Sequence, residues 1–175
     1  WIINQLEENN IAYNEPAIFL VKGALCKESY VKAFNYIIQR HEALRTIFIV
    51  KNGEPMQQVL DEPESDIKII DLRLTERSEE KAKELVRKHI SSVFNLETGP
   101  LIRTILIRLE DDKYIMCFTM HHIIFDVWSM GVLANEFFSA YNSYRENTKP
   151  NLIPLRIQYK DYSAWHNAIL ETNKV

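Results

Sequence analysis

Residues 101–121 constrain the fold more than any other stretch. Leu101–Leu109 and Lys113–His121 are two long apolar runs separated only by a tight turn at Asp111-Asp112. So short a connection joins antiparallel neighbours, because parallel strands need a crossover of about a dozen residues or more. The chain therefore builds a sheet that contains this hairpin.

The flanking segments fill in the rest. Ala17–Lys22 is a short β-like run that ends near Gly23. Glu28–His41 places Tyr30, Val31, Phe34, Ile37, Ile38 and His41 on one helical stripe. Leu44–Val50 and Met56–Leu60 flank Asn52-Gly53, a strong signal for a tight hairpin turn. Ile67–Ile70 is a further apolar run. Thr75–Phe94 reads as an amphipathic helix, with Ala82, Leu85, Val86, His89, Ile90 and Val93 inward and Glu and Lys outward. A third helix follows Asp126 to about Tyr144, and Tyr159–Leu170 is a last one beyond a loop bounded by Pro150 and Pro154. Strands and helices interleave, yet two of the strand pairs are hairpins. The expectation is an α+β fold: a mixed, largely antiparallel sheet with helices packed on one face.

Composition excludes several functions. A chain of 175 residues suits one domain with a proper core. The net charge of −3 is spread along the chain, without the basic stripe that a nucleic-acid surface needs. No apolar run is long enough to span a bilayer, and Trp1–Asn10 is not a secretory signal, so a cytoplasmic protein without membrane partners is expected. Cys26 and Cys117 are far apart and form no Cys-x-x-Cys, which argues against a disulfide framework or a zinc cluster and reads as two buried thiols. The glycines at 23, 53, 99 and 131 cannot make a phosphate-binding loop.

The chemistry concentrates at His121-His122-Ile123-Ile124-Phe125-Asp126, where the second long strand gives way to a helix. Imidazole with a nearby acid is suited to moving protons near neutral pH. Neighbours in a strand point to opposite faces, so only one histidine enters a given site. The strand is leaving the sheet, which favours His122 for the open position and His121 for the interior. Asp126 at a helix start can cap backbone N–H groups, pair with a cation or hold the loop. A metal would want three ligands in suitable geometry, and this pattern does not supply them. Ser129 lies in no Gly-x-Ser-x-Gly elbow and belongs in the first helical turn. Trp128 and Met130 read as helix-packing residues, and His41, His89 and His166 as satisfied core residues.

The segment Met120–Met130, with its two histidines, aspartate and Trp128-Ser129, resembles the signature of the condensation domains of nonribosomal peptide synthetases. Arg40-His41-Glu42-Ala43-Leu44-Arg45-Thr46 resembles that family's second motif, and Trp1 with Gln5-Leu6 the tail of its first. Phe94-Asn95-Leu96-Glu97-Thr98-Gly99-Pro100-Leu101, followed by Arg103, resembles the segment before the long hairpin. Tyr159-Lys160-Asp161-Tyr162-Ser163-Ala164-Trp165 resembles the fourth motif. The matches occur in the family's order across nearly the whole chain.

The resemblance implies a chloramphenicol acetyltransferase-like two-layer sandwich, of which residues 1–175 would be the N-terminal lobe, the second lobe being absent. It implies amide formation between an acyl or peptidyl thioester and an aminoacyl amine, each tethered by phosphopantetheine to a carrier protein. Carrier domains and the missing lobe are the implied partners, and no cofactor or metal is bound directly. His122 is the implied base or amine-positioning group, with His121 beside it. Asp126 is mainly structural and pairs with an arginine, for which Arg45 is the candidate here. Val127, Trp128 and Ser129 would support the site. The Trp128-Ser129 ending leans toward peptide-bond formation over epimerisation.

Two departures matter. Val127 stands where the family has glycine, and positive φ there would strain a β-branched residue by roughly 1–2 kcal/mol. Phe125 is bulky beside a reaction centre. A stand-alone acyltransferase to a free alcohol or amine, and a non-catalytic carrier-docking domain, are the competing readings. The 175-residue chain alone is expected to be inactive.

Overall fold

A computed structural model describes residues 1–7, 10–62 and 64–172. The elements run α1 (Ile2–Leu6), β1 (Asn14–Lys22), α2 (Lys27–Arg40), β2 (Thr46–Lys51), β3 (Glu54–Val59), β4 (Asp66–Asp71), α3 (Ser78–Ile90), β5 (Ile102–Glu110), β6 (Lys113–His121), α4 (Val127–Arg145) and α5 (Tyr159–Thr172). Short 3-10 turns at Glu42–Arg45 and His122–Ile124 follow α2 and β6.

The long hairpin is the centre of a four-stranded sheet with order β1-β6-β5-β4. β6 is antiparallel to β1 and β5, whereas β4 runs parallel to β5 with α3 in the connection. The sheet is therefore mixed, as the interleaved pattern led one to expect. β2 and β3 form a separate two-stranded hairpin turned by Asn52 and Gly53. Both turn residues have positive φ, 55° and 82°, which Asn-Gly tolerates and most pairs do not.

The α2–α4 pair covers one face of the sheet. Tyr30, Phe34 and Ile37 of α2 and Phe137 and Ala140 of α4 pack with Ile102, Leu106, Met116, Phe118 and Met120. Phe118 anchors this layer, with its ring 6.0 Å from Phe34 and 5.1 Å from Phe137. The expectation of helices on one face holds for these two helices but not for α3. Ala82 and Val86 of α3 pack on Ile105, Ile107, Leu109 and Cys117, which point the other way. The reason lies in β5 and β6, which are apolar at odd and even positions alike. A strand buried on both faces loses the alternation that marks a one-sided sheet.

α3 is shorter than its pattern suggested. Arg77 takes φ 53° before it, and the helix stops at Ile90, leaving Val93 exposed instead of buried. His89 is buried as expected, but both of its ring nitrogens lack partners. His166 is not a core residue: it is exposed on α5 and stacks on Tyr162. Of the two thiols Cys117 is buried, whereas Cys26 is half-exposed and accepts from the Ser29 hydroxyl. Among the described residues no helix is long and apolar enough to cross a membrane. None of them form a group of three or more side chains able to hold a metal ion.

Candidate active site

The site forms where β6 leaves the sheet. The N–H of His121 donates to Leu101 and that of His122 to Tyr13, which fixes the chain up to the bend. The His122–Ile124 turn then swings it toward α4. His121 ends up buried, with its ring edge-on to Phe94 at 6.1 Å. Its Nδ1 accepts the Ile123 N–H at 3.1 Å, so the neutral ring carries its hydrogen on Nε2. Burial pushes its pKa down to about 4, which keeps it uncharged at neutral pH.

His122 is exposed. It lines an open cleft of about 570 Å³, whose wall includes His41, Phe48, Phe125, Asp126, Gln158 and Tyr159. It also lines a second cavity of about 250 Å³, bounded by Trp1, Tyr13 and His121. One imidazole thus borders two compartments. Phe125 sits against it, ring centroids 5.7 Å apart, and narrows the larger cleft without closing it.

Asp126 is the N-cap of α4. Its Oδ1 accepts the Ser129 N–H at 2.8 Å and the Ser129 hydroxyl at 2.6 Å. The Ser129 side-chain bond, with the backbone bond beside it, holds the Asp126 carboxyl below its ordinary range. Ser129 is thereby tied to a cap and is not a free nucleophile.

The expected Arg45–Asp126 pair is not formed. Arg45 donates to the Leu60 carbonyl and lies 3.6 Å from Glu42, and it makes no hydrogen bond or ion pair with Asp126. The 3-10 turn that carries Arg45 is tied to the β2–β3 hairpin, where Leu60 N–H bonds the Arg45 carbonyl. Nor is Val127 strained. It is the first residue of α4 and is not among the positive-φ non-glycine residues, which among the described residues are Asn52, Arg77 and Asn147. Its side chain is 87% exposed; Trp128 is 84% exposed and so is not the helix-packing residue its sequence suggested.

Sequence reasoning missed the opposite wall. His41, read as core, borders the same cleft as His122. Its Nε2 lies 2.6 Å from Oε2 of Glu136, and Arg40 grips the same carboxylate at 2.8 and 3.1 Å. Gln158 joins α2 to the approach of α5, donating to the Arg40 carbonyl at 3.0 Å and accepting from Glu42 N–H at 3.1 Å. One signal was present: Glu136 is the only acid in the 19-residue helix α4. Isolated buried acids seek a cation.

The model of the condensation domain family matches residues 1–175, and the chain belongs to that family. It is 37% identical over 175 residues to bacitracin synthase 3 of Bacillus licheniformis, covering 100% of this chain and 3% of that protein. It is 36% identical over 168 residues to gramicidin S synthase 2 of Brevibacillus brevis, covering 95% of this chain and 4% of the relative. The chain thus spans a small fraction of these relatives. Among solved structures, the starter condensation domain of the rhizomide synthetase RzmA superposes with a TM-score of 0.81 at 22% identity, over 87% of this chain and 37% of that one. The epimerization domain from the third module of tyrocidine synthetase B superposes with a TM-score of 0.82 at 24% identity, over 94% and 36%. The backbone alone therefore does not distinguish the two chemistries.

Proposed function

We propose that residues 1–175 are the N-terminal lobe of a condensation domain that joins a carrier-tethered acyl or peptidyl thioester to a carrier-tethered aminoacyl amine. The observation that carries this reading is His122, exposed at the strand end and bordering both a 570 Å³ cleft and a 250 Å³ cavity. A reaction of two tethered substrates needs such a meeting point. The acceptor's nitrogen lone pair attacks the thioester carbonyl carbon, the C–S bond breaks, and the donor carrier's thiol leaves with a proton from nitrogen. His122 orients the amine or receives that proton, and buried, uncharged His121 fixes the turn that presents it.

The relative weights favour positioning. A thioester is already activated, and holding amine and carbonyl in line supplies effective molarities of roughly 10⁵ M or more. Proton transfer adds roughly 10²–10⁴-fold. In this reading a second lobe closes the open cleft, the phosphopantetheine arms arrive as parts of the substrates, and the protein works in the cytoplasm with carrier domains as its partners.

The test uses the intact domain with carrier-loaded donor and acceptor. His122→Ala is expected to lower amide formation by about 10²-fold or more, and the 175-residue chain alone to give no turnover. An unchanged rate in the variant overturns the assignment of His122. Inversion of a tethered aminoacyl centre without amide formation assigns the site to epimerisation instead.

A further inference from the structure

The cleft holds two imidazoles with unlike equipment. His122 shares the cleft with Asp126, whose Oδ1 is taken by Ser129, and makes no ion pair among the described residues. His41 has one: Glu136 at 2.6 Å from Nε2, their side chains only 21% and 16% exposed. Burial alone would favour the protonated acid, but hydrogen bonds from Arg40 and His41 outweigh it and hold the Glu136 carboxyl below its ordinary range. An ionised carboxylate only accepts. Nε2 of His41 therefore carries the hydrogen, and in the neutral ring the lone pair lies on Nδ1. The other charged groups around His41 are paired among themselves: Arg40 with Glu136, and Glu42 with Lys160 and Arg45. Asp126 lies across the cleft, capping α4.

Amide formation from an ammonium requires two protons to leave one nitrogen. Resting on the reading of this site as an amide-forming centre, we propose that His41, oriented by Glu136, takes the first of them. The acceptor's ammonium gives a proton to Nδ1 of His41, and the electron pair of that N–H bond stays on nitrogen as the attacking lone pair. The imidazolium so formed is stabilised by the Glu136 carboxylate at Nε2. The amine then attacks the thioester, the C–S pair leaves with sulfur, and the second nitrogen proton reaches the departing thiolate on the His122 side. His41 returns its proton to solvent. No electrons are transferred to or from an outside reagent.

The experiment follows amide formation by the intact domain across pH. His41→Asn is expected to be slower by about 10²-fold near pH ~6.5 and to converge on the parent rate above pH ~9, where the amine arrives already neutral. Glu136→Gln, which keeps a hydrogen-bond acceptor and removes the charge, is expected to show a smaller deficit with the same pH trend. A deficit that is equal at every pH assigns the pair a purely structural role and overturns the proposal while leaving amide formation and His122 intact. ¹⁵N NMR of the His41 ring is the readout independent of turnover. A neutral ring with its hydrogen on Nδ1 also overturns it, even if both variants fail to fold. Absence of amide from the parent domain with every carrier-loaded pair overturns the underlying reading, and this proposal with it.

Discussion

At the residue scale the site separates groups that look alike in sequence. His121 and His122 are neighbours with different fates, one buried edge-on to Phe94 and bordering only the smaller cavity, the other exposed and bordering both. That division was legible, because strand geometry alone sends adjacent side chains to opposite faces. The Asp126 cap was legible for a similar reason: an acid before an apolar helix bonds the first free N–H groups. The partner of Asp126 was not, because side-chain reach depends on which loop passes nearby, and the turn carrying Arg45 is tied to the β2–β3 hairpin. Val127 offers a direct check. It occupies the first turn of α4 without positive φ and is exposed. Val127→Gly is therefore expected to leave the rate of the intact domain unchanged and to lower stability by less than about 1 kcal/mol, read from the urea midpoint. A large gain in rate from the glycine would show that the backbone at 127 does limit the chemistry.

At the element scale β6 joins fold and function. Its even-numbered side chains face α2 and α4, its odd-numbered ones face α3, and its last residue positions the site. Phe118 sits at the middle of the first layer, in contact with Tyr30, Phe34 and Phe137. Phe118→Ala is expected to cost about 3–5 kcal/mol, measured by chemical denaturation, because neighbouring rings on both helices cannot collapse into the space together. A loss below about 1 kcal/mol would mean that the layer repacks freely. Most elements were legible from period and turn chemistry: the Asn52-Gly53 hairpin, the long hairpin and the α2 stripe. The second covered face was less so. Unbroken apolar runs at 101–109 and 113–121 state that a strand is buried on both sides, but not which helix lies where. His41 and Glu136 were hidden for a related reason. Their pairing is made by the packing of α2 on α4, a contact between residues 95 positions apart.

At the scale of the whole molecule, burial of histidine makes the fold acid-sensitive in a definite window. His89 and His121 are 3% and 4% exposed, and burial lowers both pKa values to about 4. In the unfolded chain each titrates near its ordinary value of about 6.5. Between those values the unfolded state binds protons that the folded state refuses, so stability is full above pH ~6.5 and falls as the pH drops toward 4. Each ring contributes roughly 3 kcal/mol across that span, and two together are comparable with the whole stability of an ordinary domain, about 5–15 kcal/mol. His89 allows the effect to be isolated, since it borders neither His122 cavity and both of its ring nitrogens are buried without partners. Replacing it by leucine removes the titration and the cost of two unbonded polar atoms, about 1–3 kcal/mol each at most. His89→Leu is therefore expected to be no less stable than the parent at pH 7, and to lose clearly less stability than the parent between pH ~6.5 and ~4.5. Urea midpoints at the two pH values are the measurement. Equal acid losses in parent and variant would mean that His89 finds a proton acceptor or water inside the fold, and that its ring is charged there at a cost the surrounding packing can bear.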